Sequence, residues 1–442
     1  MIHSDNADPQ QLRFPRPSRR AFLGGLGLLG SGLALPARGA ALIDTDWQEF
    51  RGPTGQGHSD AKGLPLEWGP GKNIRWRTEL PGQAWSSPVV AGGRIFLTNA
   101  VVPDGADPMS VASLRVLALD APTGKLLWDT EVFRQTDPAA LRKHDKNSHA
   151  SPTVIHESGR LYAHFGHHGT ACLDTSGGVV WKTQEHRYPP VHGTGGSPVI
   201  VGDHLIYSAD GATDPAVLAL DKQSGRLKWK SPRPASAATS KFAFCTPLAI
   251  TVDGRRQVIT PGAGVVQSLD PTDGSEIWRF HYGTGFSVVP RPVFSHGMIF
   301  VSSGYNSPSA YAIRVGGAGD VTATHMAWTA NKRIPRNSSM LVIGDELYML
   351  DDGGIFSSRD AVTGTVHYEE RLLGACSASL LHADGRIYAI DEQGKSAVVQ
   401  PGKTFQAPVI SALEERTLAS MAVTGSDLLI RTEKAVYRVG LS

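Results

Sequence analysis

Ala118-Leu119-Asp120-Ala121-Pro122-Thr123-Gly124-Lys125-Leu126-Leu127-Trp128 is the stretch whose reading decides the fold. An apolar strand ends at an aspartate able to bond the backbone of its own turn, and a glycine supplies the positive φ that closes the hairpin. A second strand then opens on a tryptophan. The pattern is written again at Ala219-Leu220-Asp221-Lys222-Gln223-Ser224-Gly225-Arg226-Leu227-Lys228-Trp229, with related turns at Asp174, Asp270 and Asp360. Following the aromatic position outward gives Trp76, Trp128, Trp181, Trp229, Trp278, Trp328, Tyr368 and Phe405, separated by 52, 53, 48, 49, 50, 40 and 37 residues. A period of this size marks repeated supersecondary units. The turn aspartates and the aromatic column are therefore assigned to architecture, the rings packing between neighbouring units.

Each unit reads as four short strands with alternating apolar residues. In the first they are Ser87-Pro88-Val89-Val90, Gly93-Arg94-Ile95-Phe96-Leu97, 114–120 and the strand beginning at Leu126. Unit starts recur at Ser87, Ser151, Ser197, Thr246, Arg291, Ser339, Ser379 and Ser420. The last unit ends after three strands, whereas the strand at 74–80 has none before it in sequence. The sequence thus predicts an all-β chain, an eight-bladed β-propeller of four-stranded antiparallel blades closed by an N-terminal strand that completes the last blade. The expected layout is a signal at 1–41, a leader at 42–72 packed against one face, and the propeller at 73–442. Insertions fall at 133–150, between the first two blades, and at 315–324 in the fifth.

Arg13, Arg16, Arg19 and Arg20 precede a 14-residue apolar run from Phe22 to Leu35, too short to span a bilayer and fitting a signal sequence. Ser18-Arg19-Arg20-Ala21-Phe22-Leu23 matches the twin-arginine address, which implies a periplasmic or extracellular product. No cysteine precedes Cys172, so no lipid or membrane anchor is expected. Without residues 1–40 the chain holds 38 basic and 39 acidic side chains, a balance that favours no nucleic-acid partner. Cys172, Cys245 and Cys376 form no metal or haem motif, and one disulfide between two of them is an open reading.

The two quoted hairpins, with Phe50-Arg51-Gly52-Pro53 and Arg431-Thr432-Glu433, resemble the pyrroloquinoline-quinone-like (PQQ-like) β-propeller repeat family over residues 45–442. Similarity is greatest to exported single-propeller members such as the outer-membrane-protein assembly scaffold lipoprotein, a binding propeller. The resemblance also extends to quinoprotein dehydrogenases, and it would then imply a quinone under a vicinal-disulfide lid, a Ca²⁺ ion and an aspartate base. No two cysteines here are adjacent and no aspartate matches a base motif, so PQQ with calcium has no motif support and no cofactor is predicted.

Candidate binding residues come from places where one repeat departs from the rest. Arg291 replaces Ser or Thr in the strand-start column, a guanidinium at a channel mouth that needs an acid of its own blade or an anionic ligand. Three residues before the following column lies a second ring, which includes Trp85, His149 and Asn337. Histidines crowd the neighbouring stretches: His144 and His149 beside Lys146 and Asn147, then His164, His167 and His168, then His186 and His192. They read either as a nitrogen-donor pocket or as solvated loop residues. Asp210 and Asp214 read as a Ca²⁺ or acid/base pair or as a polar turn, and Lys241 is placed on the same rim.

Three function classes follow. A non-catalytic scaffold would bind a protein or small molecule at the channel mouth. An enzyme on a small anionic or sugar substrate would use the histidine-rich rim, with no catalytic residue assigned. A PQQ-dependent dehydrogenase is the third. A monomer is expected.

Overall fold

The computed structural model describes residues 46–441 apart from 108 and 307. The signal expected at 1–41 lies outside the described residues. Eight antiparallel sheets follow one another along the chain. The first is built from Val89–Ala91, Arg94–Val101, Ala112–Asp120 and Leu126–Gln135. The next six begin at Ile155, Val199, Leu248, Val293, Leu341 and Leu381. The eighth consists of Ala422–Thr424, Asp427–Arg431 and Ala435–Val439, with Ile74–Glu79 paired antiparallel to Ala435–Val439 as its outer strand. The result is the eight-bladed propeller that the repeat predicts, closed by its N-terminal strand.

The recurrent hairpin is a clasp between blades. Asp120 Oδ1 accepts from Thr123 N at 2.9 Å and holds the turn closed. Trp76 of the preceding strand donates from Nε1 to Ala121 O at 3.0 Å. Gly124, at φ +73°, lies so flat on the Trp76 ring that a Cβ would come within 2.7 Å of it. The same pairing recurs as Trp128 with Thr175 O, Trp181 with Lys222 O, Trp229 with Pro271 O and Trp328 with Ala361 O. The motif therefore demands Gly twice over, for its φ and for close approach.

Trp278 breaks the series and donates to Gln257 of its own blade at 3.3 Å. The expected blade-5 insertion explains why. In place of the short turn, Gly319–Asp320 runs parallel to Trp278 and Arg279 and extends blade 4 as a fifth strand. Phe405, placed by its spacing on an outer strand, instead precedes the strand Val409–Ala412 and packs on Tyr368 at 5.5 Å.

The seam between the last and first blades carries its own bolt. Arg431 is fully buried and donates to Ser86 Oγ, Thr98 O and Asn99 Oδ1 of blade 1 at 2.7–2.9 Å. Burial pulls its pKa down to about 9, so it is still charged at neutral pH. Trp47, Ala61, Leu64 and Trp68 of the leader join the core of blades 7, 8 and 1, and His58–Ser59 adds a parallel strand to blade 7. The three cysteines are free and buried, so the disulfide reading is set aside.

Candidate functional site

Each innermost strand follows a belt residue, and six of the eight bond the belt residue of the next blade. Ser87 N donates to Thr153 Oγ1, Thr153 N to Ser197 Oγ and Ser197 N to Thr246 Oγ1 at 2.9–3.0 Å. Arg291 N donates to Ser339 Oγ, Ser339 N to Ser379 Oγ and Ser379 N to Ser420 Oγ over the same distances. Small hydroxyls fit here because six of the seven, all but Ser87, satisfy a neighbour's N–H and still let eight strands converge.

The belt corrects one register. In blade 2 the belt residue is Thr153, two positions after the expected Ser151. Ser151 thereby moves up to line the cavity beside Trp85, and His149 leaves it.

Arg291 has also left the channel. Its side chain is 1% exposed, donates from Nε to Pro247 O at 3.0 Å and from Nη1 to Phe50 O at 2.6 Å, and lies 3.5 Å from Glu49. The acid it needs comes from the leader, from neither its own blade nor a ligand. Where other blades carry a hydroxyl, the guanidinium reaches under the leader and fixes Phe50 in the channel. Burial raises the Glu49 pKa against the pull of Arg291. Arg51 lies alongside, buried, with Nη2 donating to Met340 O at 2.7 Å. Its pKa falls to about 9 through burial and repulsion from Arg291.

With Phe50 as its floor, the channel becomes a funnel of about 560 Å³. Trp85, His144, Lys146, Asn147, His192 and Asn337 line it as the sequence places them. An aromatic arc covers one wall, in which the sequence marks His144, His192 and the rim stretch 241–244 but not Phe286 or Tyr305. His144 meets His192 at 5.7 Å, His192 meets Phe242 at 5.4 Å, Phe242 meets Phe286 at 5.4 Å, and Phe286 meets Tyr305 at 5.7 Å. Arg336 closes the arc over Tyr305 at 5.9 Å. Phe244, which the second ring does include, packs on Phe242 at 5.7 Å.

Charges at the mouth occur in pairs. Lys146 Nζ lies 2.7 Å from Glu392, whose carboxylate also accepts from Ser377 Oγ at 2.6 Å. Arg336 lies 3.1 Å from Asp352, which accepts from Asn337 Nδ2 at 2.7 Å. The first pair makes the 133–150 insertion a strap: Lys146 leaves blade 1 and is tied to blade 7. Arg416 holds the strap again by donating to Asp145 O at 3.2 Å and covers Trp85 at 5.3 Å.

The other histidines anchor that strap from behind. His168 lies 3.1 Å from Gln135 and 3.3 Å from His149, both on the strap, and His167 Nε2 lies 2.9 Å from Ala140 O. His167 and His168 sit on a single 3₁₀ turn, Gly166–His168, with ring centres 3.9 Å apart, instead of on opposite faces of a strand. Burial, reinforced by Lys143 and His167, pulls the His149 pKa down to about 4. Burial takes His164 to about 3, and His168 is lowered as well. The network is structural.

Asp210 and Asp214 do not form a pair. Asp210 is buried against Arg233, which grips it through Nε and Nη2 at 3.0 and 2.8 Å and continues to Thr260 O of blade 4. Desolvation raises its pKa, and Arg233 opposes the rise. Asp214 is an exposed turn residue at φ +47°, and Lys241 is exposed and does not line the cavity.

A family model described as outer membrane protein assembly factor BamB matches residues 67–129 and 112–356. The chain belongs to that PQQ-like β-propeller family. Among curated proteins it is 24% identical over 264 residues to the polyvinylalcohol dehydrogenase of a Pseudomonas species, covering 51% of this chain and 41% of that protein. It is 20% identical over 235 residues to an uncharacterized protein of Rickettsia conorii, covering 52% and 53%. The chain thus matches about half the length of these curated relatives. BamB from Moraxella catarrhalis superimposes with a TM-score of 0.57 at 13% identity, over 83% of this chain and 99% of that one. A quinohemoprotein alcohol dehydrogenase from Pseudomonas putida HK5 gives 0.63 at 11% identity, over 90% and 81%. At such identities the likeness shows the fold alone.

The residues around this funnel do not fit a quinone held with a divalent cation. Among the described residues no three His, Cys, Asp or Glu side chains are grouped to hold a metal ion. The carboxylates at the mouth, Asp352 and Glu392, each already neutralise a cation at 3.1 and 2.7 Å.

Proposed function

We propose that this chain is an exported binding propeller, a closed ring that takes a ligand into its one-ended funnel and releases it unchanged. One observation carries the reading: the charges at the mouth neutralise one another, so the surface offered to a ligand is aromatic rings, hydroxyls, two imidazoles and two amides. Of the histidines that suggested acid/base chemistry, His149, His164, His167 and His168 are buried away from the funnel, with His149 drawn down to about 4 by burial, while His144 and His192 stay in its wall as neighbouring rings 5.7 Å apart. A general acid or base must lie within reach of its substrate with a pKa near the working pH. A concave pocket of this size, with aromatic walls and directed polar groups, is the form of a small-molecule site. Export by the twin-arginine route rests on Ser18-Arg19-Arg20-Ala21-Phe22-Leu23 and the apolar run after it.

The test combines turnover and binding on the purified mature protein. Dye-coupled oxidation of alcohols and sugars is followed with and without added PQQ and Ca²⁺, and the same compounds, together with aromatic acids, are screened by thermal shift. The expected result is at least one stabilising ligand, no dye reduction, and loss of the shift in Phe242→Ala and Phe286→Ala. Quinone-dependent dye reduction would overturn the reading. A fusion of residues 1–45 to a reporter, scored in cells lacking the twin-arginine translocase, tests the route.

A further inference from the structure

The belt hydroxyls at the deep end of the funnel have a property that their structural bonds do not use. Every belt Ser or Thr that accepts a neighbour's N–H spends one oxygen lone pair and keeps its own hydrogen. Among the described residues none of these hydroxyls donates to a protein acceptor. Ser87 goes further: its Oγ is buried and has no hydrogen-bond partner at all. A buried polar group left unpaired costs about 1–3 kcal/mol. A ring of such donors facing one axis calls for an electron-rich acceptor in that space.

What lies below and above the belt narrows the acceptor. Beneath Phe50 are two guanidiniums, Arg51 and Arg291, against one carboxylate, Glu49. Burial raises the Glu49 pKa, so that carboxylate offsets at most one of the two positive charges. Asp352 lines the funnel only at its rim, where Arg336 and Asn337 already hold it. The deep end therefore combines O–H donors with a net positive floor, the arrangement that favours an oxyanion. Higher up, Phe242 and Phe286 present ring faces and edges suited to a second aromatic system.

We propose that the funnel takes an aromatic monocarboxylate, its carboxylate among the belt hydroxyls and its ring system against Phe242 and Phe286. The inference rests on the binding reading above and adds the polarity and direction of the ligand. No reaction is involved, and the carboxylate exchanges its hydration for the hydroxyl ring.

Titration calorimetry of the mature wild-type protein with naphthalen-1-ylacetate, its primary amide and acetate tests it. The acid is expected to bind at least ten-fold more tightly than the amide, about 1.4 kcal/mol, with acetate weaker than the acid. Ser87→Ala removes a hydroxyl that supports no structural bond. It should weaken the acid by roughly ten-fold, as expected for a bond to a charged group, weaken the amide less, and not lower the melting temperature. Equal binding of acid and amide would overturn the inference and leave the binding propeller standing, because the aromatic arc would then be the whole site. Binding of none of the three probes would overturn it too, as would a Ser87→Ala variant that binds the acid as wild type does. The acid-to-amide ratio reads the inference without any variant having to fold.

Discussion

Trp181 lays its indole on Gly225 of the next blade and donates from Nε1 to Lys222 O at 3.0 Å. The contact joins two blades through one side chain and one missing side chain. A Cβ at Gly225, where φ is +72°, would come within 2.5 Å of the ring. Gly225→Ala should cost about 2–4 kcal/mol, from left-handed backbone strain together with overpacking. Trp181→Phe should cost less from the lost hydrogen bond alone, about 1 kcal/mol. Equilibrium denaturation of the mature protein measures both.

Arg291 is expected to govern the plug. Arg291→Ser restores the hydroxyl that other blades carry, yet it frees Phe50 O and Pro247 O and leaves Glu49 buried without its cation. A stability loss of about 3 kcal/mol is expected. Trypsin cleavage at Arg51, absent from wild type at the same temperature, should mark the released leader.

Acid should loosen the strap. His149 and His164, at about 4 and 3, lie below the ordinary 6.5 mainly because they are buried. Around them stand His167 and His168, with Lys143 and Arg187 adding positive charge that disfavours protonation further. Between these values and 6.5 the unfolded chain binds protons that the folded chain refuses. Their contribution is therefore intact above 6.5 and is lost as pH falls toward 4. Hydrogen exchange followed between pH 7 and pH 4.5 should show residues 136–149 losing protection before the blades do. A strap as protected at pH 4.5 as at pH 7 would contradict this.

Glu392→Gln should act on the strap without acting on the ring. It weakens the partly exposed tie to Lys146, a bond worth about 1 kcal/mol or less, and keeps a partner for Ser377 Oγ. Global stability should stay within about 0.5 kcal/mol. Protease cleavage after Lys143 or Lys146 should quicken several-fold.

The blades were legible because their signals are local. The Asp-turn-Gly hairpin and its tryptophan lie within eleven residues at 118–128. The site was legible only in part, because its contacts join distant stretches. Asp210 meets Arg233 of the following connection, and Lys146 meets Glu392 across 246 residues. No periodicity records such pairs. The slip in blade 2 has a plainer cause. Ser151-Pro152 imitates the first blade's Ser87-Pro88, whereas the second strand starts seven residues after Ser87 and seven after Thr153. That spacing, also kept at Ser197, Arg291, Ser339, Ser379 and Ser420, was the available signal. Phe286 went unmarked because it stands three residues before the ring position Val289, in a connection with no strand pattern of its own, whereas Phe242 was read only as part of the rim stretch that begins at Lys241.

The seam strand has a consequence for how the molecule is made. Residues 74–79 are synthesised about 350 residues before their partner, 435–439. Until that partner is made, the early strand waits with an unpaired edge, and pairing it then requires closing the whole propeller segment into a loop. Blade formation can proceed in order, but ring closure is a single late event. A chain stalled before residue 435 therefore carries a bare strand open to other chains, a liability that the finished ring removes.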